Sequence, residues 1–257
     1  MSNTQKAATP QTEPPDFIKL LAHELRWKLL QVLVMGDHRV QELVGFVGQP
    51  LNLVSYHLKH LRDQQVVTVR RSDADGRDMY YSLDVDRLQS LYRAAGAALH
   101  PTLASEPIRH TAPLPAQVRV LFLCTQNSAR SQMAEGLLRH LGGGQIEVAS
   151  AGSQPSAVHP LAVQMMKQAE IDISSQKSRH VDEFVSQSFD YVITVCDKMR
   201  EVCPTFPAHS TTIHWSLPDP AVIEDEAARL VAFAQTAAAL HKRITLFLTM
   251  IVQKDAA

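Results

Sequence analysis

The stretch Val118–Glu135, V-R-V-L-F-L-C-T-Q-N-S-A-R-S-Q-M-A-E, decides the fold of the second half of the chain. Val118–Leu123 is a short, nearly continuous apolar run, the pattern of a strand buried in a parallel sheet. From Ser131 onward Met133, Leu137, Leu138 and Leu141 recur at helical spacing. A strand therefore delivers Cys124 to a tight loop, and the N-terminus of a helix points its free N–H groups into that loop. Such a loop is an oxyanion cradle. The backbone of Thr125, Gln126, Asn127, Ser128, Ala129, Arg130 and Ser131 and the helix dipole favour negative charge, and the Arg130 guanidinium adds a forked contact. The same field favours a thiolate at Cys124. Cysteine, five residues, arginine and serine thus combine a nucleophile with a site for a tetrahedral anion.

The 257 residues suffice for two modest domains or one large one, and 45% hydrophobic content is ample for folded cores. A formal net charge of −1 carries no global nucleic-acid signature. No stretch approaches the ~20 apolar residues of a membrane span. The first fifteen residues are polar and proline-bearing without an apolar signal core, so a cytoplasmic protein with no membrane partner is expected. There are three cysteines, Cys124, Cys196 and Cys203. An odd, small number argues against a disulfide framework and for reactive thiols.

Outward from the loop, the pattern divides the chain into a disordered tail (1–15), a first domain (16–100), a proline-bearing linker (101–116) and a second domain (117–257). The first domain reads as two helices within Asp16–Val34, a helix over Val40–Val47, a turn at Gly48–Pro50 and a helix over Leu51–Gln64. In that last helix Leu51, Val54, Leu58 and Leu61 are expected inward, and Asn52, Ser55, Tyr56, Lys59 and Arg62 outward. Val66–Arg71 and Met79–Leu83 flank the polar turn Ser72–Asp78 as a hairpin, and a helix over Asp84–Leu99 follows. Helix-turn-helix followed by a wing is a DNA-reading arrangement. In the second domain, strands are expected at Val118–Leu123, Ile146–Ala149, Phe189–Val195 and Thr211–Trp215. Helices are expected at Pro160–Ala169, Val181–Gln187 and Ala221–Val252. This alternation implies an α/β domain: a four-stranded parallel sheet with flanking helices and right-handed crossovers. The nucleophile then sits at the carboxyl end of the first strand, where such sheets bind ligands.

The segment C-T-Q-N-S-A-R-S-Q-M-A-E resembles the active-site loop of arsenate reductases built on the low-molecular-weight protein tyrosine phosphatase fold. The resemblance implies arsenate as substrate, a Cys124, Cys196 and Cys203 thiol–disulfide relay, no bound cofactor, and thioredoxin as reductant. On the same resemblance Arg130 holds the oxyanion, Asp219 in S-L-P-D-P-A is the general acid, Ser131 bonds the thiolate and Asn127 props the loop. The Cys196–Pro207 segment must move for the relay, and its polar composition allows this. Some relatives hold a potassium ion near the loop. Asn127, Glu135 and Ser150 match its ligand positions, but Arg179 stands where an aspartate is usual, so no metal is expected.

L-V-S-Y-H-L-K-H-L-R-D (Leu53–Asp63) and the following V-V-T-V-R-R resemble the winged-helix repressors of the ArsR/SmtB family. This implies operator DNA as partner and a homodimer through the first domain. Asn52, Ser55, Tyr56, His57, Lys59, His60 and Arg62 would read or position DNA from the recognition helix, and Arg70, Arg71 and Arg77 from the wing. The cysteine pair of arsenite-sensing members is missing from Gln41–Val47, and Asp84, Asp86 and His100 do not fit the zinc-sensing spacing. The leading expectation is an arsenate reductase fused to a transcriptional regulator. A tyrosine phosphatase would use the same loop, although Gln132 and Ala221-Val222 depart from its usual pattern. A regulator whose second domain only senses arsenic or redox state is the third reading.

Overall fold

The computed structural model describes residues 13–104, 118–207 and 209–255. The expected tail lies outside these residues except for Glu13–Pro15. Of the expected linker only Pro101–Ala104, a 3-10 turn, falls within them. The chain forms two compact units. The first comprises Met1–Val34, Arg39–Val69 and Tyr81–Arg109, and the second Met35–His38, Arg70–Tyr80 and His110–Ala257.

The amino-terminal elements are α1 (Asp16–Leu21), α2 (Glu24–Met35), β1 (His38–Arg39), α3 (Val40–Val47), α4 (Leu51–Asp63), β2 (Val67–Arg71), β3 (Met79–Leu83) and α5 (Val85–Leu99). Local chemistry sets the helix ends. Glu42 accepts from the Arg39 N–H at 2.7 Å to start α3, and Gly48, at φ +62°, ends it by donating to Val44 O. Asp84 caps α5 by accepting from Arg87 N. Leu29, Leu43, Val54, Leu58, Leu61 and Val66 form the core of the first unit. Leu51, expected inward, is 44% exposed because it opens α4 immediately after Pro50, one turn short of that core.

The later elements are β4 (Arg119–Cys124), α6 (Arg130–Leu141), β5 (Glu147–Gly152), α7 (Pro160–Gln168), β6 (Tyr191–Thr194), α8 (Asp197–Glu201), β7 (Thr211–His214) and α9 (Glu226–Asp255). The four strands make a parallel sheet in the order β5-β4-β6-β7. Its interior strands β4 and β6 are almost wholly apolar, apart from Arg119 at the start of one and Thr194 at the end of the other, because helices cover both faces. From α9, Phe233, Leu240, Ile244 and Phe247 are buried at helical spacing, with Phe247 edge-on to Tyr191 at 4.9 Å.

Four expectations shift. β5 runs three residues beyond Ala149 to Gly152, since Leu123 and Cys124 still offer it partners. The helix expected over Val181–Gln187 shrinks to a 3-10 turn, Val181–Glu183, capped by His180. The long helix starts at Glu226 rather than Ala221, because Asp219 caps a separate 3-10 turn at Pro220–Val222. The Cys196–Pro207 segment, expected as an open polar loop, contains α8, with Cys196 as its N-cap. Among the described residues no helix is long and apolar enough to cross a membrane.

Candidate active site

Parallel pairing brings the chemistry to one edge of the sheet. Cys124 ends β4 opposite Gly152 of β5, and Leu123 lies opposite Thr194 of β6, so Cys124 and Cys196 leave the carboxyl ends of adjacent strands. Cys124, Thr125, Gln126, Ser128, Ala129, Arg130, Cys196 and Asp219 all line one cavity of about 580 Å³. Gly152 makes the close approach possible: a Cβ there would lie 2.5 Å from Thr125 O and 2.8 Å from Asn127 N.

The loop carbonyls are all tied from outside. Gln154, Ser156 and His159 donate backbone N–H groups to Thr125 O, Gln126 O and Ser128 O, and Ser178 Oγ donates to Asn127 O at 2.6 Å. In a trans peptide the C=O and the next N–H point in opposite directions, so the amides of residues 126–129 turn to the other side. Asn127 N accordingly donates to Cys124 Sγ at 3.1 Å. These amides, with the start of α6 at Arg130, form the concave donor surface that a tetrahedral anion requires.

Asn127 holds this arrangement in a left-handed backbone conformation, φ +46°. Its Oδ1 accepts from Arg179 N (2.8 Å) and Gln132 Nε2 (3.1 Å), which orients the amide. Its Nδ2 then donates to Ser131 Oγ (2.9 Å) and Ser150 Oγ (2.8 Å). Because Ser131 accepts from Asn127, its own proton is free for Cys124 Sγ, 2.9 Å away. The Asn127 N–H and the Ser131 hydroxyl thus both converge on the sulfur. Asn127→Ala should destabilise the protein by about 2–4 kcal/mol, since it orphans several buried groups and places alanine at positive φ. Denaturant unfolding checks the value; a change below about 0.5 kcal/mol would contradict this account.

The other candidates are placed as follows. Arg130 Nη1 donates to Leu217 O (2.8 Å) and Nη2 to Asp219 Oδ2 (2.6 Å), which sets the guanidinium and the carboxylate side by side at the cavity. Cys196 Sγ lies 3.4 Å from Thr125 Oγ1 and accepts from Met199 N at 3.4 Å. Burial pushes its thiol up, and the neighbouring Cys124 adds to the shift. Cys203 packs against the core, outside the cavity lining, and burial pushes its thiol up to about 11. A raised thiol pKa means that the unfolded chain ionises first, at ~8.5, so stability is lost as pH rises from there toward the folded value. Alkylation of Cys203 in the folded protein should accordingly still be climbing above pH 9, as peptide mapping after iodoacetamide would show.

Glu135 accepts from Ser150 Oγ at 2.6 Å and pairs with Arg139 and Arg179, the latter at 3.4 Å. Two guanidinium groups already offset this carboxylate, which does not fit a further cation ligated by it. Among the described residues no three His, Cys, Asp or Glu side chains converge as a metal site.

Of the DNA candidates, Asn52, Ser55, Tyr56, Lys59 and Arg62 are exposed along one face of α4, and His60 beside them is half-buried. His57 is buried, its ring 4.2 Å from that of His23, and burial lowers its pKa. Arg71 and Arg77 are exposed, and Arg77 holds Asp75 down to about 2. Arg70 belongs to the second unit, where its guanidinium donates to Asp197, Asp73 and Ser216. Sequence reasoning did not single out Ser178 or Asp197, and it named Gln132 only as a departure from the phosphatase pattern. Ser178 carries no local signal, whereas a charged residue directly after a buried strand and cysteine could have marked Asp197.

Comparison with known proteins adds four findings. The profile of the family described as low molecular weight phosphotyrosine protein phosphatase matches residues 119–257. An arsenate reductase of Halalkalibacterium halodurans is 40% identical over 129 residues, 50% of this chain and 93% of that protein. An arsenate reductase of Bacillus subtilis is 42% identical over 102 residues, 40% of this chain and 73% of that protein. A solved structure described as an arsenate reductase in the phosphate binding state is 33% identical with a TM-score of 0.44, covering 52% of this chain and 98% of that one.

Proposed function

The chain belongs, through residues 119–257, to the low molecular weight phosphotyrosine protein phosphatase family, and on that premise we propose that it reduces arsenate to arsenite with three thiols. The observation that carries this reading is Cys196, which lines the same cavity as Cys124 and Arg130. Hydrolysis of a phosphate ester needs the nucleophile, the cradle and the acid, and a second sulfur beside them takes no part in that reaction. The curated relatives named above are arsenate reductases, which supports the same choice.

The amides of the Cys124–Arg130 loop and the Arg130 guanidinium bind arsenate. Cys124 thiolate attacks arsenic, and Asp219 protonates the departing hydroxyl as water. Cys196 thiolate then attacks Cys124 Sγ. The S–S bond forms, the S–As bond breaks, and its electron pair leaves on arsenic, reducing As(V) to As(III). Cys203 attacks Cys196, Cys124 departs as a thiolate, and the Cys196–Cys203 disulfide passes to thioredoxin, the external reductant. Purified protein with arsenate, thioredoxin, thioredoxin reductase and NADPH tests the scheme: arsenate-dependent NADPH oxidation supports it. Turnover of an aryl phosphate without arsenate reduction would favour the phosphatase reading.

The first unit is a winged helix-turn-helix that binds operator DNA as a homodimer. The pattern at Leu53–Asp63 and the exposed row Asn52, Ser55, Tyr56, Lys59 and Arg62 support this. His57 contributes by packing rather than base contact. Lys59→Ala should lower the salt slope of DNA binding by about one unit for its lost phosphate contact. Binding undetectable at low salt would make this unit a protein-contact module.

A further inference from the structure

With Asp197–Glu201 helical, Cys196 and Cys203 flank α8. Cys196 is the N-cap of this five-residue helix and Cys203 follows its C-cap, Val202; the six ~1.5 Å steps from cap to cap already span about 9 Å along the axis, and a disulfide tolerates at most ~6.8 Å between Cα atoms. Closing a Cys196–Cys203 bond therefore requires α8 to unwind, which also frees the Cys203 thiol from the burial that keeps it protonated.

What opposes unwinding comes from far upstream, within the same compact unit. Arg70 pairs with Asp197, the first residue of α8, and also donates to Ser216 Oγ at 2.5 Å and to Asp73 at 2.8 Å. Asp73 N donates to the same Asp197 carboxylate at 2.8 Å, and Asp73 lines the Cys124 cavity. Asp197 is fully buried. Burial opposes its charge, yet hydrogen bonds from His214, the Asp73 N–H and Ser216 and the charge of Arg70 hold its carboxyl well below the usual range. Further along α8, Arg200 lies 5.3 Å over the buried Tyr80 ring and donates to Asp37 O at 3.2 Å. Asp37 is itself anchored by Arg243 and by Ser216 N. Both ends of α8 are thus held by Met35–His38 and Arg70–Tyr80.

We propose that the Arg70–Tyr80 hairpin tip is a latch on the relay helix, and that Arg70 is a positioning residue: acting through Asp197, it holds α8 wound and gates the attack of Cys203 on Cys196. This rests on the three-thiol reading above. The exchange is internally balanced, since the Cys203–Cys196 bond forms as the Cys124–Cys196 bond breaks and Cys124 leaves as a thiolate. All three guanidinium nitrogens of Arg70 are engaged in the latch, so a phosphate contact by Arg70 and a closed latch exclude one another.

The test follows one equivalent of arsenate without thioredoxin in the full chain, by acid quench and peptide mass spectrometry, for wild type, Arg70→Ala and Arg70→Lys. In Arg70→Ala the conversion of the Cys124–Cys196 disulfide to Cys196–Cys203 should accelerate about ten-fold relative to arsenite release, the loss of one charged hydrogen-bonded contact. Arg70→Lys should be intermediate, and Met199–Glu201 amides should exchange faster in the same order. An unchanged or slower conversion in both variants overturns the latch. If wild type forms no Cys196–Cys203 disulfide, the relay fails and the latch with it, a result distinct from equal rates.

Discussion

Cys124→Ser is expected to lower arsenate-dependent NADPH oxidation by at least about 10³-fold, the largest effect of any substitution in this chain. The reason lies in what the loop does to the atom at that position. Asn127 N and the Ser131 hydroxyl both aim at Sγ, and the start of α6 adds its dipole. A thiol is an intrinsically strong nucleophile that supplies some thiolate near neutral pH, whereas a serine hydroxyl has no alkoxide available there. Serine also ends the relay chemically, because no disulfide can form on oxygen. The fold should be untouched, since Ser replaces Cys at a site already lined by hydrogen-bond donors. Steady-state NADPH oxidation alongside circular dichroism checks both statements, and activity within ten-fold of wild type would remove Cys124 from the mechanism.

Cys203→Ser is expected to stop the enzyme after one turnover. Cys124 and Cys196 share the cavity, so the first disulfide needs little rearrangement. Without the third thiol the product is trapped as Cys124–Cys196, which thioredoxin must approach across the cavity instead of at a resolved pair. One arsenite per protein and a Cys124–Cys196 peptide by mass spectrometry are the expected readouts. The burst should match wild type in amplitude, because Cys203 lines no part of the cavity. Continued turnover at the wild-type rate would make Cys203 a buried structural thiol, and stoichiometric tightly bound zinc in the wild type would make it a ligand.

The sequence by itself determined what depends on neighbours in the chain. An apolar run, a cysteine, a short loop and a helical stripe are contiguous, so strand, cradle and helix followed from spacing alone, and the sheet of four parallel strands followed from alternation. The α3 and α4 bounds were equally legible, because their signals, Glu42 at a capping position, Gly48 and Pro50, sit within a few residues of the ends they set. What spacing could not supply is any pairing between distant residues. Asp219 meets Arg130 across 89 positions and was anticipated only through a family resemblance.

Arg70 shows the limit most directly. Its sequence context, a basic residue on a hairpin, points to phosphate, and a solvated arginine would satisfy that context. The tertiary structure gives it a partner that this context does not reveal, by burying Asp197 127 positions away, where a carboxylate out of water requires a charged partner and Arg70 is within reach. His57 is the same case in reverse. Tyr56 and Lys59 on the same helix face water, but the ~100° step from Tyr56 to its neighbour carries the His57 ring inward onto His23. Periodicity assigns a residue to a helix face; which face is covered, and by what, is settled by elements that the local sequence does not contain.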